Sequence, residues 1–163
     1  MNKQPLISSE LIAMLETFVN KELYAQYFYR SLANAMQQIG YFGAQKYFLA
    51  EAASEGEHYQ KHVNFLNDVG VMPKLAPIPS APAPQGIKEA FKSAFDTEYQ
   101  LCKDYKQATA QALTKDIEVF GHLQEFVDIQ RKSVGEYGDL LARLDLCGSN
   151  EAALLEFDEH LNG

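Results

Sequence analysis

The sequence predicts an all-α fold: a four-helix bundle with one long crossover between helices two and three, and a short fifth helix near the C-terminal end. Two observations predict it. Apolar residues recur at alternating steps of three and four through four long stretches, with no strand-type alternation competing. Five of the six prolines, Pro73, Pro77, Pro79, Pro82 and Pro84, fall between Gly70 and Gly86, where helix is excluded and extended chain is favoured.

The predicted helices span about 8–38, 41–69, 85–112, 115–146 and 150–161. Ser8 or Ser9 can cap the first, and Asn150 the last. Gly40, Gly70 and Gly148 stand where C-caps belong. The stretch 70–86 sets the topology, because 17 residues of polyproline-like chain reach ~50 Å. A 28-residue helix is only ~42 Å long, so this segment can cross the whole bundle. An up-down-up-down bundle needs only a short turn there, whereas two antiparallel hairpins joined by one crossover need this length.

The chain's 163 residues suit a single domain spanning 1–163. With 47% hydrophobic and 22% charged residues and no apolar run near the ~20 residues of a membrane span, a membrane protein is excluded. The opening MNKQPLISSELI has no basic segment followed by an apolar stretch and a cleavage site, which gives cytoplasm as the expectation. Cys102 and Cys147 are too few for a disulfide framework and read as reduced thiols. A net charge of −8 disfavours nucleic acid and anionic lipid and favours cations as guests.

Polar residues interrupt the apolar stripes at matching places. The first stripe runs Leu15, Phe18, Glu22, Ala25, Tyr29, Leu32, Met36; the third runs Phe91, Ala94, Glu98, Leu101, Tyr105, Ala108, Ala112. Each carries a carboxylate followed by a tyrosine two turns later on the same face, a faint internal repeat. The second runs Phe48, Ala52, Glu55, Tyr59, His62, Leu66, Val69, with His58 one turn beyond Glu55. The fourth runs Leu123, Val127, Gln130, Val134, Tyr137, Leu141, Leu144. Glu22, Glu55, Glu98 and Gln130 all lie near the midpoints of their helices and are expected in one layer. Singly, each has an ordinary explanation, a snorkelling Glu or a chance ExxH. Together they would bury several charges at several kcal/mol per ion, which protons or cations must relieve. Three Glu and one His are ligands that suit iron or manganese, and di-iron bundles are built from such sets. Tyr105 is assigned to packing, and His62 to a satisfied core or surface position too far from Glu55 to share its metal.

The segments KELYAQYFY (Glu22, Tyr29), ASEGEH (Glu55, His58), DTEYQLCKDY (Glu98) and EFVDIQ (Gln130) resemble the ferroxidase centre of non-haem ferritins, and the resemblance extends from Ser8 to Leu161. It implies a ferritin-like fold and an iron-storage role: two Fe(II) bound per chain, oxidised by O2 or hydrogen peroxide, and passed as Fe(III) to a mineral core inside a 24-subunit shell. It also implies one iron on Glu22, Glu55 and His58, a second bridged by Glu55 and held by Glu98 with Gln130 nearby, and Tyr29 beside them. Bacterioferritins repeat ExxH on helix four, where this chain has Gln130 to Ser133, and place a haem-ligating Met where Gly56 stands; no haem is expected. Ser54, Ile129, Lys132 and Ser133 occupy the positions of a third iron site in many bacterial ferritins, which argues against that site here. A soluble di-iron redox enzyme of the rubrerythrin or peroxidase-like type is the alternative, although no paired CxxC motifs are present.

Overall fold

A computed structural model describes residues 3–162. It contains five helices, α1 Ser9–Ile39, α2 Phe42–Asp68, α3 Ile87–Ala112, α4 Ile117–Cys147 and α5 Glu151–Glu159. No strand occurs among the described residues. Every boundary falls within two residues of the sequence expectation, and α5 stops at Glu159 rather than 161 with a final turn beyond it. The caps explain the boundaries. Ser8 accepts from Leu11 N–H at 3.3 Å, and Gly40 takes the left-handed conformation (φ 89°) that ends α1. Helix α4 begins at residue 117 rather than 115 because Asp116 accepts from the Glu118 and Val119 amides at 3.0 and 2.9 Å. Asn150 accepts from Ala153 N–H at 3.1 Å and opens α5.

Helix α1 packs along α2, and α3 along α4. The crossover then runs back along the outside of α1. Lys74 N–H donates to Glu16 at 3.0 Å, Ala76 N–H donates to Asn20 at 2.6 Å, and Ser31 Oγ donates to the Pro82 carbonyl at 3.4 Å. The crossover therefore runs along α1 from the level of Glu16 to that of Ser31, and α3 starts at the far end of the bundle, where Ile87 joins the cluster of Met36. In consequence α1 and α3 are antiparallel: Lys21 pairs with Asp104, Tyr105 with Glu22 and Tyr29 with Glu98. Helices α2 and α4 are antiparallel too, through Lys61 to Glu125, His62 to His122 and Tyr47 to Glu136.

The interior consists of two apolar clusters. One gathers Leu11, Leu15, Phe18, Leu66, Leu123 and Phe126; the other gathers Phe28, Leu32, Met36, Phe48, Phe91 and Leu144. Between them, in sequence and in space, lie Glu22, Glu55, His58, Glu98 and Gln130. The fourth stripe departs slightly from expectation: Phe126 is fully buried and Val127 only partly so. No described helix is long and apolar enough to cross a membrane.

Helix α5 closes the end of the bundle where α2 begins. Tyr41, the N-cap of α2, makes no side-chain cap bond, and the buried Asp158 of α5 supplies it, accepting from Gly43 and Ala44 N–H at 2.9 and 2.6 Å. The approach is so close that a Cβ on Gly43 would lie 1.9 Å from the Asp158 carbonyl oxygen. Gly43→Ala is therefore expected to lift α5 from the bundle, read as lost hydrogen-exchange protection confined to residues 150–160 and the first turn of α2. Asp158→Ala should cost about 1 kcal/mol of stability, as other lost caps do, measured by chemical unfolding.

Candidate metal centre

The centre is built where four amphipathic helices each bring a polar side chain into the gap between the apolar clusters. Glu22 and Glu98 are fully buried on α1 and α3, Glu55 is 3% exposed on α2, and Gln130 is fully buried on α4. His58, one turn beyond Glu55, keeps 11% of its side chain exposed. Among the described residues, Glu22, Glu55 and His58 form the one group of three whose ligand atoms all lie within 4.8 Å of one another. His58 Nδ1 sits 2.9 Å from Glu55 Oε2 and 3.8 Å from Glu22 Oε2. Glu98 and Gln130 share the same buried layer but do not join that trio.

Two tyrosines hold the carboxylates by reciprocal reach. Tyr29 of α1 donates to Glu98 of α3, and Tyr105 of α3 donates to Glu22 of α1. The Glu-and-Tyr repeat read in the sequence thus becomes a crossed pair of hydrogen bonds. It also corrects one expectation. Tyr105 is buried as predicted, yet it is more than packing, since it fixes a carboxylate. His62 is buried with both ring nitrogens engaged, by His122 at 2.8 Å and Tyr105 at 2.7 Å.

After these bonds are counted, Glu22 Oε2, Glu98 Oε2 and both amide atoms of Gln130 have no hydrogen-bond partner among the described residues. Orphaned buried polar atoms are rare, and each carries a desolvation penalty of about 1–3 kcal/mol or more. Here four of them lie in the gap between the two apolar clusters. Burial pushes these carboxyls toward their protonated forms. Burial, then the charge of Glu55, raises Glu22 well above the ordinary carboxylate range, against the pull of Tyr105 and His58. Burial pushes Glu55 up to about 8, with Glu98 and Glu51 adding to the rise. Burial likewise lifts Glu98 to about 7, helped by Glu22 and Glu51 and opposed by the Tyr29 hydrogen bond. A divalent cation would substitute for those protons and give the orphaned oxygens a partner, so the residues fit a metal.

Sequence reasoning passed over Glu51 and His122. Glu51 lies one turn before Glu55 on the same face; Tyr137 donates to it at 3.0 Å, and burial raises its carboxyl. Its spacing of four from Glu55 was the available signal. Nothing in the spacing marks His122, which reaches His62 from another helix.

The sequence matches the family described as the ferritin-like domain over residues 12–147. The chain belongs to this family. It resembles the non-haem ferritins in particular: it is 23% identical to the bacterial non-heme ferritin of Campylobacter jejuni over 158 residues, covering 96% of this chain and 95% of that one. It is 29% identical to the ferritin of the crayfish Pacifastacus leniusculus, covering 88% and 82%. Its ferritin-like fold superimposes on the open-pore ferritin of the archaeon Archaeoglobus fulgidus with a TM-score of 0.92 at 26% identity, over 95% and 97% of the two chains.

Apoprotein stability should reflect the trapped protons. The sign follows from folded-state pKa values raised above the unfolded value of 4.5: the carboxyl contribution is complete below about 4.5 and is lost as pH rises through about 7 to 8. His62 acts oppositely, because burial lowers it to about 2, and its contribution is lost as pH falls below its unfolded value of 6.5. Thermal unfolding of metal-free protein should therefore weaken from pH 6.5 to 8, and saturating Zn(II) should flatten or reverse that slope. A rising apoprotein curve over that window would contradict the assignment of buried protonated carboxyls.

Proposed function

We propose that this chain is an iron-storage ferritin subunit with ferroxidase activity, and that Fe(II) is its substrate. The observation that carries the reading is that Glu22 Oε2, Glu98 Oε2 and the Gln130 amide are all buried and unpartnered, in the same gap between the apolar clusters as the Glu22, Glu55 and His58 group. One Fe(II) would take Glu22, Glu55 and His58. A second would share Glu55 and take Glu98, with Gln130 as a weak neutral ligand. Hard carboxylate oxygens and one imidazole favour iron among the redox metals available to such a site.

The two positions differ in what holds the cation. The first offers two carboxylates and an imidazole; the second shares its bridging carboxylate and adds one carboxylate and an amide. Weaker holding at the second suits a product that must leave as Fe(III) for a mineral store. Tyr29 and Tyr105 orient the outer ligands through hydrogen bonds, as supporting groups around metal sites do. Electrons go from two Fe(II) to O2 or hydrogen peroxide, and hydrolysis of the ferric product liberates protons. Likeness to shell-forming ferritins supports assembly of a hollow homo-oligomer, with 24 subunits as the proposal, in the cytoplasm. No haem enters this scheme.

The deciding experiment is an anaerobic Fe(II) titration of apoprotein, then mixing with O2, with absorbance and particle mass recorded together. Saturation near two irons per chain, as the ligand count proposes, on a shell-sized particle supports the reading. The same stoichiometry on a small oligomer would move the assignment to a soluble di-iron redox enzyme of the rubrerythrin type. Glu22→Ala and His58→Ala should each slow rapid oxidation by more than the ~10–100-fold typical of losing a supporting residue. Unchanged kinetics in both variants would remove the site. Tyr29→Phe should retain metal binding but slow oxidation within that ~10–100-fold range.

A further inference from the structure

One buried polar chain leads away from the candidate ligands. It starts at Glu22, whose Oε1 accepts from Tyr105. Tyr105 lies 2.7 Å from His62 Nε2, and His62 Nδ1 lies 2.8 Å from His122 Nε2. Tyr105 and His62 are fully buried, whereas His122 is half-buried at the outer side of α2 and α4, next to the Lys61 and Glu125 ion pair. Aromatic rings hold each member in place. Phe18 stacks on Tyr105 at 4.1 Å, Phe126 stacks on His62 at 4.1 Å, and Phe65 stacks on His122 at 4.3 Å. Three links thus lead from the metal centre to the solvent side through an otherwise apolar cluster.

We propose that Tyr105, His62 and His122 form a proton path through which protons set free at the metal centre reach solvent. The inference rests on the metal-site reading above. Its chemistry is balanced at every link. A proton set free at the centre enters at the Tyr105 oxygen, across its contact with Glu22, while the Tyr105 O–H proton passes to His62 Nε2. The His62 Nδ1–H proton passes to His122 Nε2, and the His122 Nδ1–H proton passes to water. One proton enters at Tyr105 and one leaves at His122, and Tyr105, His62 and His122 are neutral before and after. Each imidazole has merely exchanged which nitrogen carries hydrogen, and in the final state every donor points inward, with Tyr105 donating to Glu22 as observed. Groups facing the path are His58 and Lys61 from α2, Glu22 from α1 and Glu125 from α4, and the surrounding burial holds His62 in its neutral form.

A hydrogen-bond role and a relay role separate because glutamine can replace imidazole as donor and acceptor but cannot pass a proton through itself. Zn(II), which has no redox chemistry, would be mixed with full-length apoprotein near neutral pH. A pH-indicator dye would follow proton release while equilibrium Zn(II) affinity is measured separately. For His62→Gln and His122→Ala we expect native Zn(II) affinity and proton count, with release slowed roughly a hundredfold, the lower range for a positioned acid–base group. Added imidazole should restore the rate in His122→Ala but not in His62→Gln, whose site is sealed. Release at the native rate in both variants would overturn the relay. So would slowing matched by an equal loss of Zn(II) affinity, which marks a structural role. If native protein binds no Zn(II) and releases no protons, the metal-site reading itself fails, and the path fails with it.

Discussion

The burial of three carboxyl groups, Glu22, Glu55 and Glu98, inside a helical bundle is the constraint from which the rest of the structure follows. An apolar bundle of this length could have been filled with leucine throughout. Instead the core is cut into two clusters, and the cut is lined by groups that lose hydration without regaining full hydrogen bonding. Such a layer is tolerable only with protons or cations on it. Protonation satisfies the charge but leaves Glu22 Oε2, Glu98 Oε2 and the Gln130 amide without partners. A cation satisfies both. The bundle supplies the stability that this layer subtracts, through the long apolar stripes above and below it.

The tyrosines show how antiparallel pairing turns a sequence repeat into a device. Glu22 and Tyr29 stand two turns apart on α1, as do Glu98 and Tyr105 on α3. Because the crossover makes α1 and α3 run in opposite directions, each tyrosine meets the other helix's carboxylate. In a parallel arrangement the repeat would bring like residues together. The second pair of helices breaks the symmetry: α2 contributes Glu55 and His58, whereas α4 contributes only Gln130. One side of the centre is rich in ligands and the other poor, a difference written in residue type and independent of any difference in backbone.

Much of this was legible in the sequence, for identifiable reasons. Heptad-like stripes report burial directly, so Glu22, Glu55, Glu98 and Gln130 were recognisable as buried before any coordinates, and the prolines between residues 73 and 84 fixed the topology through chain length alone. What escaped depends on register between helices. The donation from Tyr105 to Glu22 and the meeting of His62 with His122 arise when two helices slide to a particular offset, and periodicity within one helix carries no information about that offset. The cap that Asp158 lends to α2 escaped for the same reason: Tyr41 offers no capping group, and its replacement comes from a residue more than a hundred positions later.

The register also decides what can move through the protein. On the His122 side, Phe18, Phe126 and Phe65 press against Tyr105, His62 and His122, leaving a file of rings in contact. A hydrated cation needs a passage lined by oxygen and wide enough for its ligands, and this file offers neither. A proton needs only donors and acceptors at hydrogen-bond distance, and it finds them at each of the three links. The opposite apolar cluster is built differently, with Tyr137 and Tyr47 donating to Glu51 and Glu136. Those tyrosines end on carboxylates and provide no acceptor nitrogen to continue a chain. The two halves of the bundle share a fold and a sequence repeat, and the placement of two histidines on α2 and α4 is what gives one half a proton path that the other lacks.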